Sequence, residues 1–304
     1  MAQTISEPQP GTAAVVPRSA RPRAWLWRAF RSSPVAIAGG VLLVIMIALA
    51  VLAPVMSPWD PQAQDLSRRL VAPSWLSGPH PLGTDAVGRD LLSNIFFGLR
   101  VSLLFGVLSI AISVALGVAA GVSAGYYRGR LDALVMRAAD MQLSLPFLLV
   151  ALAAAAIWGR GLDKLIVVIG VIGWAEFART VRGSTLAVRE KEFVEAARAL
   201  GALDRRIMAR HVLPNVLTPV IVLISVAMPR AIVAEATLSF LGLGVPLTTP
   251  SLGLLIDGGY KYLFSGSWWP SIMPGLALMF LVVGINLVGD WMRDALDPRL
   301  HGRR

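Results

Sequence analysis

The chain has 304 residues, of which 56 % are hydrophobic and only 15 % are charged, which predicts a membrane protein with several spans rather than a soluble domain. It contains no cysteine, and its three histidines are far apart, which argues against disulfides, thiol catalysis and cysteine- or histidine-based metal sites. The net charge of +10 would suit nucleic acid or anionic lipid, and the positions of the basic residues decide between the two.

The N-terminal segment, residues 1–33, is predicted to be a basic tail. Residues 1–22 are rich in Pro, Ala and Arg and show no hydrophobic periodicity, which predicts disorder. Trp25, Trp27 and Phe30 follow them and are typical of an aromatic anchor at a membrane interface.

Residues 34–54 form the first predicted transmembrane helix. The competing interpretation is a cleaved secretory signal peptide, whose apolar core is only about 7–15 residues long. The apolar run from Pro34 to Ala53 is longer than that and long enough to cross the hydrocarbon layer. We therefore interpret it as an uncleaved anchor helix.

Residues 55–98 form a long polar connection that is predicted to lie outside the cytoplasm. It contains the segment HPLGTDAVGRDLLSNIFFG. Asp85 and Asp90 flank Arg89, which predicts local ion pairing and the capping of a helix. The last part, Leu91 to Leu99, is expected to lie amphipathically in the membrane interface.

Residues 99–291 are predicted to form a transmembrane core with five further helices. The second span, Val101 to Ala124, carries a small residue at every fourth position, which allows helices to pack closely in lipid. The residues of this stripe are Ser109, Ser113, Gly117, Gly121 and Gly125.

The third span, Leu134 to Trp158, has a charged start and a proline inside it. Arg137 and Asp140 are three residues apart near the cytoplasmic end, so we expect them to pair on one helix face. Pro146 is expected to kink the helix.

The remaining spans are predicted from Leu165 to about Arg179, from Val216 to about Glu235, and from Ser271 to Val288. The second outer connection, residues 236–270, contains SFLGLGVPLTTPSLGLLI, which glycine and proline break too often for a span. We interpret it as a re-entrant or interfacial element that lines the mouth of a pore. Residues 292–304 form a basic tail predicted to be cytoplasmic.

The distribution of basic residues predicts the orientation. Six spans put both termini on one side, and the segments on that side hold 20 of the 28 lysines and arginines, which supports cytoplasmic N- and C-termini. The same distribution explains the positive charge without nucleic acid, because no loop carries a long basic run interleaved with aromatic residues.

The longest polar stretch between spans, residues 189–214, is predicted to form two short helices. The first would have a small apolar face made of Phe193, Ala196, Ala197 and Leu200. Gly201 is placed to end this helix, Asp204 could cap the second one, and Pro214 marks where a new helix begins. On these features alone, the pair could simply lie on anionic lipid.

Three segments of the chain resemble one family. Glu195-Ala196-Ala197, followed by Gly201 and Leu213-Pro214, resembles the EAA signature of ABC importer permeases, although His211 replaces an apolar residue of the general pattern. The LGTD…GRD segment and the SFLGLG segment resemble those of the dipeptide, oligopeptide and nickel permease group. The long N-terminal anchor and the long first outer loop resemble the C-type subunit of that group.

The resemblance implies an all-α integral membrane protein with six transmembrane helices, the type I ABC importer permease fold and cytoplasmic coupling helices. The residues that it implies for coupling to an ATPase are Glu195, Ala196, Ala197, Gly201, Asp204, Arg205, Leu213 and Pro214. The residues that it implies for the outer mouth and for contact with a binding protein are Gly83, Thr84, Asp85, Gly88, Arg89 and Asp90.

The resemblance also implies the partners and the cargo. A C-type subunit pairs with a second, B-type permease, two ATPase subunits that bind ATP and Mg, and an extracytoplasmic substrate-binding protein, in the cytoplasmic (inner) membrane of a prokaryote. Together the two permeases form a pathway for di- or oligopeptides. Nickel chelates, glutathione or another small solute are the alternatives within this class.

The sequence contains no GxxxxGK[ST] loop for nucleotide hydrolysis, and no HExxH or GxSxG motif. We therefore predict no catalytic residues, no metal site and no cofactor in this chain. A stand-alone channel or secondary transporter is the alternative from another class, but the acids Asp140, Glu176 and Glu235 are placed near span ends, which offers little for ion coupling. An intramembrane enzyme would need a paired nucleophile and base, and we find no such pair.

Overall fold

A computed structural model describes residues 30–31, 33–75 and 78–296. These residues form helices joined by loops, with one isolated antiparallel bridge between Thr84 and Asp90. The predicted disordered tail and the end of the C-terminal tail lie outside the described residues, as do Trp25 and Trp27 of the predicted anchor. The ring of Phe30 packs edge-on against that of Trp291, 5.0 Å away.

The helices in chain order are α1 (Pro34–Val51), α2 (Ala53–Met56), α3 (Leu91–Tyr127), α4 (Gly129–Leu143), α5 (Phe147–Trp158), α6 (Leu162–Arg189), α7 (Glu192–Ala199), α8 (Asp204–Ile207), α9 (Leu213–Phe240), α10 (Leu252–Tyr260) and α11 (Trp269–Leu296).

The first span is confirmed as helix α1. The hydroxyl of Ser33 accepts a hydrogen bond from the backbone N–H of Ala36, and Pro34 occupies the first turn, where its missing N–H costs nothing. Helix α1 packs against α11, where Gly39 lets the backbone approach Leu287 closely. Much of its remaining surface is exposed and apolar, as a lipid-facing helix requires.

The second span begins ten residues earlier than predicted. Asp90 caps helix α3 by accepting a hydrogen bond from the backbone N–H of Ser93 at 2.8 Å, and the helix then runs for 37 residues to Tyr127. The predicted start of this helix at Val101 is therefore wrong, and Leu91 to Leu99 belong to the same continuous helix. Leu91 and Leu99 are buried in a hydrophobic cluster with residues of α10 and α11, so tertiary packing continues the helix to its cap.

The stripe of small residues on α3 packs closely against another helix, as predicted, and that helix is α6. A Cβ atom added to Gly117 would lie 2.7 Å from the carbonyl oxygen of Trp174, and one added to Gly121 would lie 2.6 Å from that of Ala178. The hydroxyl of Ser113 donates a hydrogen bond to the carbonyl oxygen of Gly170 at 2.8 Å. The two backbones thus touch where side chains would separate them.

The third predicted span is two helices rather than one kinked helix. Helices α4 and α5 meet at an angle of 87° around Ser144–Pro146, where the proline cannot continue the hydrogen-bond ladder. The predicted pair of Arg137 and Asp140 is also wrong, because Asp140 forms its ion pair with Arg179 of α6. A partner on a neighbouring helix replaces the local one.

Within the described residues, four helical segments are long and apolar enough to cross a membrane, and the bent pair α4–α5 would make a fifth. They are α1, α3, the continuous path Asp204–Phe240, and α11. The fourth predicted span corresponds to α6, which is 28 residues long and extends past Arg179 to Arg189. Because Glu176, Arg179 and Arg182 lie within it, composition alone does not mark α6 as a span.

The last two elements follow the prediction more closely. Helix α9 continues to Phe240 despite Pro219 and Pro229, and α11 begins at Trp269, so both exceed the predicted spans. Between them the chain forms only the short helix α10 and a 3₁₀ turn, Leu263–Ser265. The glycine- and proline-rich connection is therefore too broken to span, as the sequence indicates, and it packs over the ends of α9 and α11.

Candidate coupling loop and outer segment

Helix α7 ends in a glycine cap. Gly201 has a φ of +77°, a conformation that suits glycine, and its N–H donates to the carbonyl oxygen of Arg198 at 2.9 Å. The N–H of Ala202 donates to the carbonyl oxygen of Ala197 at 3.1 Å, which completes a Schellman motif. The prediction that Gly201 ends this helix is confirmed. A Cβ atom at Gly201 would meet nothing within 4 Å, so its surface is free.

The apolar face of the loop differs from the predicted one. The side chain that points inward is Val194, which is fully buried, whereas Phe193 and Leu200 are 41 % and 88 % exposed. Leu203, between the two short helices, is 77 % exposed. Helix α7 turns its Val194 edge, rather than its Phe193 edge, toward the protein. The loop thus presents large apolar side chains to its surroundings.

Asp204 has a different role from the predicted helix cap. It lies inside the first turn of α8, and its carboxylate accepts a hydrogen bond of 2.6 Å from the hydroxyl of Tyr126 near the end of α3. Arg189 donates to the backbone oxygen of Tyr126, and the guanidinium groups of Arg189 and Arg198 lie 5.5 and 5.8 Å from the centre of the Tyr126 ring. Tyr126 therefore holds three parts of the loop.

Arg198 also bonds to this tyrosine. Its hydrogen bond to the Tyr126 hydroxyl raises the pKa of the Arg198 guanidinium, which is charged at physiological pH in any case. A second tether joins the exposed Arg128 and Glu190 in an ion pair. Sequence reasoning missed Tyr126, because its partner Asp204 is 78 residues away and no local rule connects them.

The second half of the loop runs into the membrane helix without a break. Helix α8 passes through a π-helical turn, Met208–Val212, into α9, in which Leu213 and Pro214 occupy the first turn. Pro214 thus lies at a helix start, as predicted, but no gap in the helical path precedes it. Of the remaining predicted coupling residues, the structure exposes Glu195, Ala196 and Arg205 on the loop surface and half-buries Ala197.

The outer segment around residues 83–90 is a compact, self-bonded turn. The carboxylate of Asp85 accepts hydrogen bonds from the backbone N–H of Arg89 at 2.9 Å and from its guanidinium at 2.7 Å. Asp90 is buried, caps α3, and also contacts Nδ1 of His80 at 2.9 Å. The predicted local pairing and capping are confirmed.

The same segment is fixed to the rest of the first outer loop. Thr84 is buried, donating to the carbonyl oxygen of Arg68 and accepting from the N–H of Val71. Gly83 and Gly88 have φ values of +80° and +79°, and an added Cβ atom at either would collide with a carbonyl oxygen of this loop. These contacts assign a structural role to the segment, and its contact with a binding protein stays a prediction.

A buried carboxyl group was missed by the sequence reasoning. Glu235 on α9 was placed near a span end, yet its side chain is fully buried. It accepts hydrogen bonds from Ser239 at 2.7 Å, from Ser251 at 2.8 Å and from Ser102 at 3.4 Å. These serines belong to α9, to the start of α10 and to α3, so one carboxyl group joins three elements. The described part of the chain has no cluster of residues able to hold a metal ion.

Comparison with known proteins identifies the chain. Residues 24–73 match the N-terminal transmembrane domain of oligopeptide transport permease C. Residues 117–302 match the family described as the inner membrane component of binding-protein-dependent transport systems. The chain belongs to this permease family. The resemblance found in the EAA-like loop is confirmed, and the chain is an all-α membrane permease of the ABC importer type.

Several relatives of this permease are similar over almost its whole length. The dipeptide transport system permease protein DppC of Bacillus subtilis is 36 % identical over 90 % of this chain and 85 % of its own length. The di/tripeptide permease DppC of Pseudomonas aeruginosa is 38 % identical, over 90 % of this chain and 91 % of its own. The glutathione permease GsiD of Pectobacterium atrosepticum is 36 % identical, over 90 % of each chain.

One solved structure shares the fold of the permease. A chain of the MetNI methionine ABC transporter in inward-facing conformations superimposes with a TM-score of 0.54, covering 67 % of this chain and 96 % of its own. Its sequence is only 22 % identical, so this similarity concerns the fold alone.

Proposed function

We propose that this permease forms half of the translocation pathway of an importer for di- or oligopeptides, which an extracytoplasmic binding protein delivers. The observation that carries the proposal is the similarity, at 36–38 % identity over 90 % of the chain, to permeases named for dipeptide and di/tripeptide transport. Glutathione, itself a small peptide, is the second candidate cargo because GsiD is equally similar.

The remaining partners of the proposed complex are a second, B-type permease and two ATPase subunits that bind ATP and Mg. The loop geometry supports docking of an ATPase, because Phe193, Leu200 and Leu203 are exposed on a loop whose other side is tethered through Tyr126. A solvated loop has no reason to hold large apolar groups rigidly outward, whereas a cleft on a partner would bury them.

The proposed mechanism is alternating access. ATP binding closes the paired ATPases and brings the two coupling loops together, which opens the pathway outward to receive peptide from the binding protein. Hydrolysis then returns the pathway to its inward-open form. In this chain the loop continues as one helical path from Asp204 to Phe240, so a displacement of the loop can reach the outer mouth.

The first test is to purify the tagged chain from native membranes in mild detergent and identify the accompanying proteins by mass spectrometry. Two ATPases, a second permease and ATP-dependent peptide uptake after reconstitution would support the proposal. A chain that is purified alone and moves solute without ATP would refute it.

The coupling role has its own test in the assembled complex. Gly201→Asp places a charged side chain on the free surface of the Schellman turn, and we expect it to abolish the ATPase activity that the loaded binding protein stimulates. Gly183→Ala, on α6 with no atom within 4 Å of the added Cβ, is the matched control. Normal coupled hydrolysis in Gly201→Asp would remove the loop from the coupling mechanism.

The proposed orientation places both termini in the cytoplasm of a prokaryote, within the inner membrane. Because the chain has no native cysteine, single cysteines can be introduced and labelled without background. Leu203→Cys on the loop and Phe264→Cys on the outer connection are both highly exposed sites. An impermeant maleimide added to intact spheroplasts should label only Phe264→Cys, and the reverse pattern would invert the orientation.

A further inference from the structure

A large cavity opens on one side of the helix bundle. Its volume is about 830 Å³, within the range of about 300–1,000 Å³ that is typical of small-molecule sites. Both arms of the bent pair α4–α5 contribute to its wall, together with α3, α6, α9 and α11. The break between α4 and α5 lies at the cavity, since Leu145 and Pro146 belong to its lining.

An ion pair lies in the wall of this cavity. The guanidinium of Arg230 on α9 approaches the carboxylate of Glu176 on α6 with two contacts, 3.2 Å from Nη2 to Oε1 and 3.4 Å from Nη1 to Oε2. Among the described residues that line the cavity, these two are the charged ones. Their side chains are 60 % and 40 % exposed, so both can be reached from the cavity.

The exposed charges of this ion pair indicate that the cavity faces water or protein rather than lipid. Charged side chains within transmembrane segments face protein or a water-filled path, because hydrocarbon cannot solvate them. The exposed side of α1 is different, since it shows Val41, Val44 and Ile45 to the outside. The side that bears Glu176 and Arg230 is therefore directed away from lipid.

The rest of the cavity wall is largely apolar. Its few polar groups are mostly hydrogen-bonded to other parts of the chain. The amide group of Gln142 accepts a hydrogen bond from the indole N–H of Trp174 at 2.6 Å and donates to the carbonyl oxygen of Ile172. Phe147 and Val226 belong to the apolar lining. One pair of opposite charges against an apolar wall can orient a dipolar ligand and tolerate variation in its side chains.

We propose that this cavity holds the peptide in transit, with Glu176 binding its α-ammonium group and Arg230 its α-carboxylate. This inference rests on the proposed function. A zwitterionic peptide brings the same two charges as the ion pair that it opens, so each side chain exchanges one partner for another and no charge is left unpaired. An extended dipeptide is about 7 Å long, and rotation of the two part-exposed side chains accommodates it.

The competition between the ion pair and the peptide also keeps binding weak. A transit site must hold its cargo strongly enough to admit it and weakly enough to release it. When the Glu176–Arg230 ion pair forms again, it displaces the peptide, so no other residue is needed for release. The proposed site recognises the two charged termini of the peptide rather than its side chains, so it suits short peptides of varied sequence.

The test uses the complete complex in proteoliposomes, with binding protein outside and ATP inside. The probe is a radiolabelled alanyl-benzoylphenylalanine dipeptide, which is photo-crosslinked during turnover and whose attachment sites are mapped by mass spectrometry. Glu176→Gln and Arg230→Gln neutralise the pair, and Asp140→Asn is the matched control because it breaks the Asp140–Arg179 pair, which does not line the cavity.

We expect crosslinks on cavity residues such as Phe147 and uptake reduced by about tenfold in both cavity variants, the effect of losing one charge-assisted hydrogen bond. ATPase stimulation by the loaded binding protein should persist, and Asp140→Asn should transport normally.

Crosslinks outside the cavity, or normal uptake by both cavity variants in a complex that imports peptides, would overturn the transit site and leave the proposed function intact. Loss of the partner permease from the cavity variants would assign the pair to subunit contact and likewise overturn it. A wild-type complex that imports no peptide would instead refute the proposed function.

Discussion

The bonds of Glu235 allow the cost of its removal to be worked out. In Glu235→Ala the hydroxyls of Ser239 and Ser251, which donate to the carboxyl group at 2.7 and 2.8 Å, lose their acceptor inside the protein. Each buried hydroxyl left unsatisfied costs about 1–3 kcal/mol, so the expected loss of stability is about 2–6 kcal/mol. Ser102, at 3.4 Å, adds little because the bond is long.

Glu235→Gln distinguishes the contribution of the hydrogen bonds to stability from that of side-chain packing. It keeps the volume of the side chain and one carbonyl oxygen, so one serine can retain an acceptor while the amide N–H₂ group faces the other hydroxyl. We expect about half of the loss seen in Glu235→Ala, or about 1–3 kcal/mol. Thr237→Ala on the same helix is the control, since Thr237 bonds only to the carbonyl oxygen of Val233 one turn earlier.

Two measurements check this prediction. Heating the purified complex and measuring the fraction that remains monodisperse should rank the variants as Thr237→Ala, Glu235→Gln and Glu235→Ala, from most to least stable. Hydrogen exchange should report earlier opening of Leu252–Tyr260 in Glu235→Ala, because Ser251 at the start of that helix loses its tie to α9. Equal heat stability of Glu235→Ala and Thr237→Ala would show that the buried bonds contribute nothing.

Four further substitutions test other contacts. Gly117→Ala should lower the free energy of unfolding by about 1–3 kcal/mol, because it overpacks α3 against α6. Gly183→Ala should raise it by about 0.5–1 kcal/mol, because the added methyl group meets nothing and alanine favours a helix. Equal heat stability of the two variants would contradict this prediction. Asp90→Ala should cost about 0.5–2 kcal/mol for the lost cap alone and should lower the melting temperature of the complex. Tyr126→Phe removes the hydrogen bond to Asp204, which contributes about 0.5–1.5 kcal/mol to stability. It should speed amide hydrogen exchange across residues 192–204. Unchanged exchange would show that Tyr126 does not tether the loop.

The features that the sequence predicted correctly depend on neighbours along the chain. Helix geometry and backbone conformation explain the apolar runs, the small residues at every fourth position of α3, and the glycine that ends α7. The pairing of Asp85 with Arg89 and the cap at Asp90 are equally local. Each of these rules needs at most a few turns of chain.

The features that the sequence missed depend on distant partners. Asp140 could pair with Arg137 three residues away, but a residue 39 positions later on α6 is its actual partner. The burial of Glu235 was missed because it comes from Ser102 on α3 and from the connection between α9 and α11, which a hydropathy pattern does not include. The start of α3 was misjudged for the same reason, since distant residues of α10 and α11 cover Leu91.

Three of the residues that these experiments change, Arg230, Glu235 and Thr237, lie on one helical path. The helical path Asp204–Phe240 has 37 residues, about 55 Å at 1.5 Å per residue, so it can reach across the whole membrane. Tyr126 holds the end of the path that bears Asp204, Arg230 lies in the cavity wall, and Glu235 binds the opposite part of the path to the start of α10. Because the path is continuous, a displacement of the loop must either carry the outer helix with it or break the bonds at Glu235. In the proposed mechanism, loosening those bonds should therefore uncouple movement of the loop from the connection between α9 and α11, even where the loop still docks on an ATPase.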